Sequence, residues 1–140
     1  MKKRLSKVAM KIWRSYANHT KRHEAVTQNI KAMIIGQLQA TREARGLSQQ
    51  QLADLTGMKQ SRISAIENAT YDNVSIGTLK RIAKALDIAL SVEFVSFKEF
   101  ASRAADPTKS KTAVPGFSEE KQNSTVPRRN YQGRRPNVVD

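Results

Sequence analysis

The chain of 140 residues is long enough for one small hydrophobic core, and its 25 Lys and Arg against 12 Asp and Glu give a formal net charge of +13. The sequence has no cysteine, which excludes disulfides and thiolate metal sites, and no apolar run long enough for a membrane-spanning helix. The first residues are basic, like the beginning of a signal peptide, but Lys11 and Arg14 interrupt the stretch that would have to be apolar. We therefore do not interpret this segment as a signal peptide. We therefore expect a soluble, cytoplasmic protein with a polyanionic partner.

The positive charge is concentrated at the two ends of the chain. Residues 1–24 contain eight basic residues and one acid, and residues 101–140 contain eight basic residues and four acids. Residues 25–100 are nearly balanced, with nine basic and seven acidic residues. This distribution is typical of a compact domain with basic arms that follow a phosphate backbone.

Residues 4–18 are predicted to form a basic amphipathic helix. Apolar residues recur at helical spacing with cations between them: Leu5, Val8, Ala9, Ile12, Trp13 and Tyr16 alternate with Lys7, Lys11 and Arg14. We favour packing of the apolar stripe on the domain or on a second copy of the chain; a membrane-surface helix and a DNA-contacting arm are the alternatives. His19 and His23 lie four residues apart, but no third ligand is near, so we expect solvated side chains and no metal site.

A longer helix is predicted over residues 29–45, with an apolar face of Ile30, Met33, Ile34 and Leu38. Gly46 should end it, and Ser48 with Gln51 should form the capping box of the next helix. Leu52, Ala53 and Leu55 of that helix are expected to face inward, and Gly57 provides the positive φ of a tight turn.

The helix predicted after the turn covers residues 60–68, with Ile63 and Ile66 inward and a polar outer row of Lys59, Gln60, Ser61, Arg62 and Ser64. Two short helices joined by a tight turn are typical of a helix-turn-helix, in which the second helix enters the major groove of DNA. Ser75 is predicted to cap a further helix that buries Ile76, Leu79, Ile82, Ala83 and Leu86.

Residues 90–97 alternate and are rich in β-branched and aromatic side chains, which predicts a strand. A lone strand has no sheet to join, so we expect it to pair with its own copy across a two-fold axis, through Leu90, Val92, Phe94 and Val95. A short helical turn is predicted at 97–103, and the Pro- and Ser-rich residues 106–140 are predicted to be disordered.

Together these elements predict an all-α fold, with a compact domain of four to five helices and one β-strand paired across a dimer axis. The expected division is a basic helix at 1–24, a helix-turn-helix domain at 25–89, a dimerisation strand and helical turn at 90–105, and a disordered basic tail at 106–140.

Residues 49–68 resemble the Cro/repressor-type (XRE-like) helix-turn-helix family. The resemblance covers residues 28–89, or 28–97 with the strand, and its motif positions include Ser48-Gln49, Ala53, Gly57, Ile63, Ile66 and Glu67. It implies base contacts from Gln60, Ser61, Arg62 and, through a thymine methyl only, Ala65. It implies phosphate contacts from Gln49, Lys59, Ser64, Asn68 and Tyr71, and a buried structural ion pair between Arg42 and Glu67.

The resemblance implies a sequence-specific DNA-binding transcriptional regulator, more often a repressor, that binds an inverted repeat as a homodimer. The alternative is an antitoxin that neutralises a protein toxin and autoregulates its operon. We rank it second because a toxin-binding tail needs apolar anchor residues, and those after residue 106 are few and far apart. No enzyme is expected, because the sequence has no nucleophile–base pairing, phosphate-cradling glycine loop or carboxylate pair in a plausible pocket. We expect no cofactor, and the expected partners are double-stranded DNA, a second copy and, in the alternative, a toxin, without a membrane.

Overall fold

The computed structural model describes residues 4–68, 73–106, 108 and 111–123, and over these residues the fold is all-α. The described part contains seven helices and no strand: α1 (Lys7–Ser15), α2 (His19–Ala44), α3 (Gln49–Thr56), α4 (Gln60–Glu67), α5 (Ile76–Leu86), α6 (Phe97–Ala104) and α7 (Phe117–Asn123). None of these described helices is long and apolar enough to cross a membrane.

The longest helix, α2, begins at His19, well before the start at residue 29 that its apolar pattern predicts. Asn18 caps it, because the side-chain Oδ1 accepts a hydrogen bond from the Lys21 N–H at 3.0 Å. The helix has 26 residues and is about 39 Å long. Only its C-terminal part, where Leu38 and Thr41 are buried, reaches the main core.

The capping residues and glycines predicted from the sequence lie at the ends of the next helices, as expected. Gly46 follows α2 with a left-handed φ of 63°, and Gly57 follows α3 with a φ of 66°. At the start of α3, Ser48 and Gln51 bond each other's backbone N–H in a capping box. Ser75 Oγ accepts from a backbone N–H in the first turn of α5 at 3.1 Å. These contacts lie within a few residues and therefore depend little on the rest of the fold.

The main core lies between α2, α3, α4 and α5. Ala53 is fully buried, and its small side chain permits close approach of α3 and α4. Two inward predictions were wrong: Leu55 is 56% exposed on the flank of α3, and Ile76 is 57% exposed at the first position of α5. The buried cluster consists of Leu38, Leu52, Ala53, Met58, Ile63, Ile66, Ile82 and Leu86.

A second, smaller cluster joins α1 to α6. Ala9 and Ala101 are almost fully buried, at 1% and 0% exposure, so these helices approach closely. The ring of Tyr16 meets Phe97 edge-on with centroids 5.6 Å apart and lies 6.1 Å from the ring of Phe100. The apolar stripe of α1, apart from the 57% exposed Val8, therefore packs on α6, whereas the favoured prediction was packing on the domain or on a second copy.

The two histidines at the start of α2 pack beside this cluster. The ring centroids of His19 and His23 are 4.6 Å apart, and His23 meets Phe97 edge-on at 5.4 Å. The Arg22 guanidinium lies 5.6 Å from the same Phe97 ring. Among the residues the structure describes, no group of three or more His, Cys, Asp or Glu is arranged to hold a metal ion.

The prediction of a strand at 90–97 was wrong: the described residues of this segment form no strand. Residues 88–96 form neither helix nor strand, and α6 begins at Phe97, with Ser96 Oγ accepting from the Glu99 N–H at 3.2 Å. The composition favours extended backbone, but a strand needs a hydrogen-bonding partner, and the described residues include none. Four apolar side chains remain exposed here, at 39%, 64%, 108% and 38%: Leu90, Val92, Phe94 and Val95.

Part of the segment predicted to be disordered, 106–140, folds back on the main core. The Val114 N–H donates to Thr41 Oγ1 at 3.0 Å, and the Phe117 N–H donates to the Asp87 carbonyl at 3.0 Å. Gly116 is buried between them, and α7 follows. Backbone groups carry this attachment, so the polar composition gives no sign of it. Residues 124–140 lie outside the described residues.

Candidate nucleic-acid interface

A tight turn at residues 57–59 joins α3 to α4. The Met58 N–H donates to the Ala53 carbonyl at 3.0 Å, and the Gly57 N–H donates to the Asp54 carbonyl at 3.3 Å. These bonds close the end of α3, and the left-handed backbone at Gly57 reverses the chain into α4. The crossing of the two helices is thereby set by the turn and by the buried side chains between them.

One side of helix α4 is buried in the main core, and the opposite side faces outward. Ile63 and Ile66 are buried at 0% and 2% exposure, while Ser61 on the opposite side is exposed. Lys59 is the N-cap residue but makes no side-chain cap, so the positive end of the helix dipole is not neutralised by a side-chain acceptor there. The remaining outer positions are half-buried: Gln60, Arg62, Ser64 and Ala65.

A continuous chain of hydrogen bonds connects the core to the first residue of α4. Glu67, 5% exposed, accepts from Arg42 Nε at 2.6 Å and from Arg42 Nη2 at 2.9 Å, and Arg42 Nη1 donates to the Leu47 carbonyl at 2.8 Å. Gln49 Nε2 donates to Glu67 Oε2 at 3.0 Å. Gln60 Nε2 then donates to Gln49 Oε1 at 2.9 Å. The network fixes which way the Gln60 amide faces and leaves it one donor hydrogen and an acceptor oxygen for a ligand.

The Arg42 guanidinium lies at the inner end of this network. The hydrogen bond from Arg42 to Glu67 raises the pKa of Arg42 above its ordinary value, and burial opposes that rise only in part. The pair joins α2 to the end of α4, so it holds α4 against the longest helix of the protein. Through Glu67 the pair is hydrogen-bonded to Gln49, and Gln49 is hydrogen-bonded to Gln60.

A pocket beside the turn collects positive charge. Arg62 does not simply point outward, as its place in the outer row suggested: Nη2 donates to Thr78 Oγ1 of α5 at 2.9 Å. Arg81 of α5 enters the same pocket, with one guanidinium nitrogen 3.9 Å from the position of a Cβ on Gly57. The pocket is lined by Gly57, Met58, Lys59, Ser61, Arg62 and Arg81. Sequence reasoning missed Thr78 and Arg81, because both come from a different helix.

Comparisons with known proteins agree with this geometry. Residues 38–92 match the family model described as helix-turn-helix. The chain carries a helix-turn-helix domain. A relative, an uncharacterized HTH-type transcriptional regulator named y4dL from Sinorhizobium fredii (strain NBRC 101917 / NGR234), is 42% identical over 57 residues. That match covers 41% of this chain and 29% of the relative, and no solved structure matches the chain.

The helix-turn-helix domain brings together some of the predicted contact residues. Gln49 bonds Gln60, and the pocket beside the turn holds Lys59, Ser61 and Arg62. At the other end of α4, Asn68 Nδ2 donates to Ser64 Oγ at 3.2 Å. Tyr71, the last predicted phosphate contact, lies outside the described residues.

The residues predicted for dimerisation lie at the edge of the helix-turn-helix domain. The family match ends at residue 92, within the irregular segment that follows α5. In the single chain Phe94 is fully exposed, at 108%, and Val92 is 64% exposed. The apolar surface of this segment is therefore not buried inside the described fold.

Proposed function

We propose that the chain binds double-stranded DNA through its helix-turn-helix domain and regulates transcription, acting as a repressor rather than as an enzyme. The observation that carries this proposal is the hydrogen-bond chain from Arg42 to Gln60. It orients a polar amide at the start of α4 while the buried isoleucines hold that helix in the domain. A preorganised amide is suited to an adenine edge, to which glutamine can donate and from which it can accept.

The residues divide into two kinds of contact. Gln60 and Ser61 are proposed to contact base edges, with Ala65 limited to a thymine methyl. The cations beside the turn, including Arg62, are proposed to meet phosphates, since the bond from Arg62 to Thr78 draws its guanidinium toward α5. The remaining proposed phosphate contacts are Gln49, Lys59, Ser64 and Asn68.

Selection of bound duplexes from a random DNA pool tests this proposal. We expect enrichment of an inverted repeat with half-site centres about 10–10.5 base pairs, or 34–36 Å, apart. A pool that shows no enrichment after repeated rounds would reject sequence-specific binding. An enriched site without two-fold symmetry would reject the proposed dimer geometry while leaving DNA binding intact.

A pair of glutamine variants tests the role of the network directly. On the selected site, Gln60→Ala should lose discrimination at one base pair of each half-site by about 5- to 150-fold. Gln39→Ala, an exposed glutamine on α2 outside the interface, is the matched control and should bind like the wild type. Equal affinities and equal base preferences for the two variants would contradict the assignment of Gln60.

We further propose that two copies associate through the irregular segment that contains Phe94. Its exposed apolar side chains would gain a partner, and its backbone would gain the inter-strand hydrogen bonds that a single chain lacks. Sedimentation equilibrium should give a dimer for the wild type and a weaker dimer for Phe94→Ser. Phe117→Ser, at another exposed phenylalanine (64%), is the control. A wild-type monomer that occupies its DNA site as a single copy would contradict this association.

The same exposed segment supports the second candidate, an antitoxin, because a toxin protein is another partner that would cover Phe94. Purification from native cells distinguishes the two. A small toxic protein that co-purifies with the wild type but not with Phe94→Ser would establish the antitoxin function. Recovery of the homodimer alone would reject it.

A further inference from the structure

The outer face of α1 is a basic surface that lies outside the helix-turn-helix domain. Lys7, Lys11 and Arg14 recur at spacings of four and three residues, so they lie within one narrow strip of the helix. All three side chains are exposed. The opposite side of α1 holds Ala9 and Tyr16, which are buried against α6.

The packing of α1 decides between the roles that an amphipathic basic helix can have. A helix that binds a membrane surface must insert its apolar face between lipids. Here Tyr16 of that face is enclosed by aromatic rings of α6, and the Lys98 ammonium lies 5.7 Å from the ring of Trp13. Val8 is 57% exposed, but the rest of the available side of α1 is charged, which suits a polyanion better than a lipid interior.

The cations of this strip are not neutralised within the part of the chain that the structure describes. Helix α1 contains no acidic residue, and no carboxylate lies within ion-pair distance of Lys7, Lys11 or Arg14 among the described residues. Arg103, on the neighbouring helix, differs: it is held by Glu93 at 2.7 Å and by Glu99 at 3.0 Å. Unpaired cations in a row retain their attraction for an external chain of negative charges.

The shape and length of the surface match a phosphate backbone. A groove along the strip is lined by Arg4, Leu5, Ser6, Lys7, Met10, Lys11 and Arg14. From Lys7 to Arg14 the helix rises about 10 Å, and each strand of duplex DNA carries one phosphate per 3.4 Å of helix axis. Two to three successive phosphates can therefore be approached by the row at the same time.

We propose that the outer face of α1 is a second, sequence-independent binding surface for the phosphate backbone of duplex DNA, acting in addition to α4. This inference rests on the proposed DNA binding of the helix-turn-helix domain. Helix α2 separates the two surfaces: from Asn18, where it is capped, to Leu38 in the main core, the helix rises about 30 Å. The added contacts therefore extend the occupied DNA beyond the half-site by at most about nine base pairs.

The test compares two triple variants of the full chain that lose the same charge. Lys7→Gln/Lys11→Gln/Arg14→Gln removes the basic strip, and Lys84→Gln/Lys111→Gln/Lys121→Gln removes three other exposed cations as the matched control. Binding to the selected duplex is measured between 50 and 200 mM salt (roughly the range in which counterion release is resolved). Thermal melting of each variant verifies that it is folded.

We expect the strip variant to reduce the slope of log affinity against log salt by about 2 and the affinity at 0.1 M salt by roughly 10²-fold. The ratio of specific to scrambled-sequence binding should stay unchanged, because phosphate contacts carry no sequence information. The control variant should change the slope by less than about 1. If the strip variant melts early, the single substitution Lys11→Gln replaces it, with an expected slope change of about 0.9.

Three results would overturn the proposal. Equal slopes for the strip and control variants would remove the second surface while leaving the helix-turn-helix function intact. A wild type that binds no duplex DNA would reject both proposals together. Binding of the wild type to vesicles of phosphatidylserine and phosphatidylcholine, lost in the strip variant while the DNA slope is unchanged, would assign the surface to membranes instead.

Discussion

Removal of the Glu67 carboxylate is the most informative perturbation of this fold. Its side chain is 1% exposed and accepts three hydrogen bonds, two from Arg42 and one from Gln49. In Glu67→Ala the Arg42 guanidinium, with an 11% exposed side chain, would remain inside the protein without its anion. The loss of one partner from a buried pair costs about 3–5 kcal/mol, a large part of the stability of a small domain.

Urea denaturation followed by circular dichroism measures this cost. We expect the free energy of unfolding to fall by about 3–5 kcal/mol with an unchanged m-value, and the melting temperature to fall by about 10–17 °C. Glu43→Ala is the internal control. Its carboxylate also lies near Arg42, at 3.9 Å, but the side chain is 64% exposed, so its loss should cost less than about 1 kcal/mol. Similar losses for the two variants would refute the reasoning.

A double variant separates stability from the positioning of Gln60. Arg42→Met/Glu67→Leu replaces both charges by apolar groups and should recover most of the stability lost in Glu67→Ala. Gln49 would still lose its acceptor, so the orientation of the Gln60 amide would no longer be fixed through it. We expect near-normal unfolding but reduced base discrimination. A double variant that retains full discrimination would contradict the positioning role of the network.

Three further predictions concern the backbone. In the same urea assay, Gly57→Ala should cost about 1–2 kcal/mol through the backbone φ of 66° alone, since the nearest atom to a Cβ there is 3.9 Å away. Gly77→Ala in α5 is the contrasting case, because the nearest atom to its Cβ is 3.7 Å away and its φ is ordinary. It should be neutral or stabilising by up to about 1 kcal/mol. Ser48→Ala should cost about 0.5–2 kcal/mol and expose the first turn of α3 to hydrogen exchange, because the capping box is lost. Gly116→Val should release the segment before α7, since a Cβ there would lie 3.3 Å from the Leu86 carbonyl oxygen, with further methyl groups beyond it, and 2.8 Å from Arg45 Nη2. Faster amide exchange confined to 114–120 is the expected result, and unchanged exchange would show that the segment tolerates the side chain.

The sequence predicted the helix-turn-helix domain well because its determinants are short-range. The capping box of Ser48 and Gln51, the left-handed glycines at 46 and 57, and the buried pair Ile63 and Ile66 all lie within a few residues of the feature that they define. Each has one physical role that the residue type alone identifies. The match of residues 38–92 to the helix-turn-helix family rests on the same region.

The failures of prediction have a different physical origin. The pattern at 90–97 favours extended backbone, but a strand also needs a partner, and no partner strand exists among the described residues of the single chain. The attachment of residues 114–117 uses backbone N–H groups, which every residue except proline has, so composition cannot predict it. Leu55 and Ile76 were assigned inward because they are apolar, although an apolar side chain at the edge of a helix face can remain exposed.

The residue sequence by itself therefore determined where α3 and α4 begin and end, which side of α4 is buried, and that the chain carries an excess of positive charge at its ends. Only the tertiary structure decided how those parts act together. It joined Gln60 to Arg42 through Gln49 and Glu67, drew Arg62 toward Thr78, and turned the basic side of α1 outward by burying the other side on α6. These arrangements depend on contacts between elements distant in the sequence, and such contacts are set by packing rather than by local pattern.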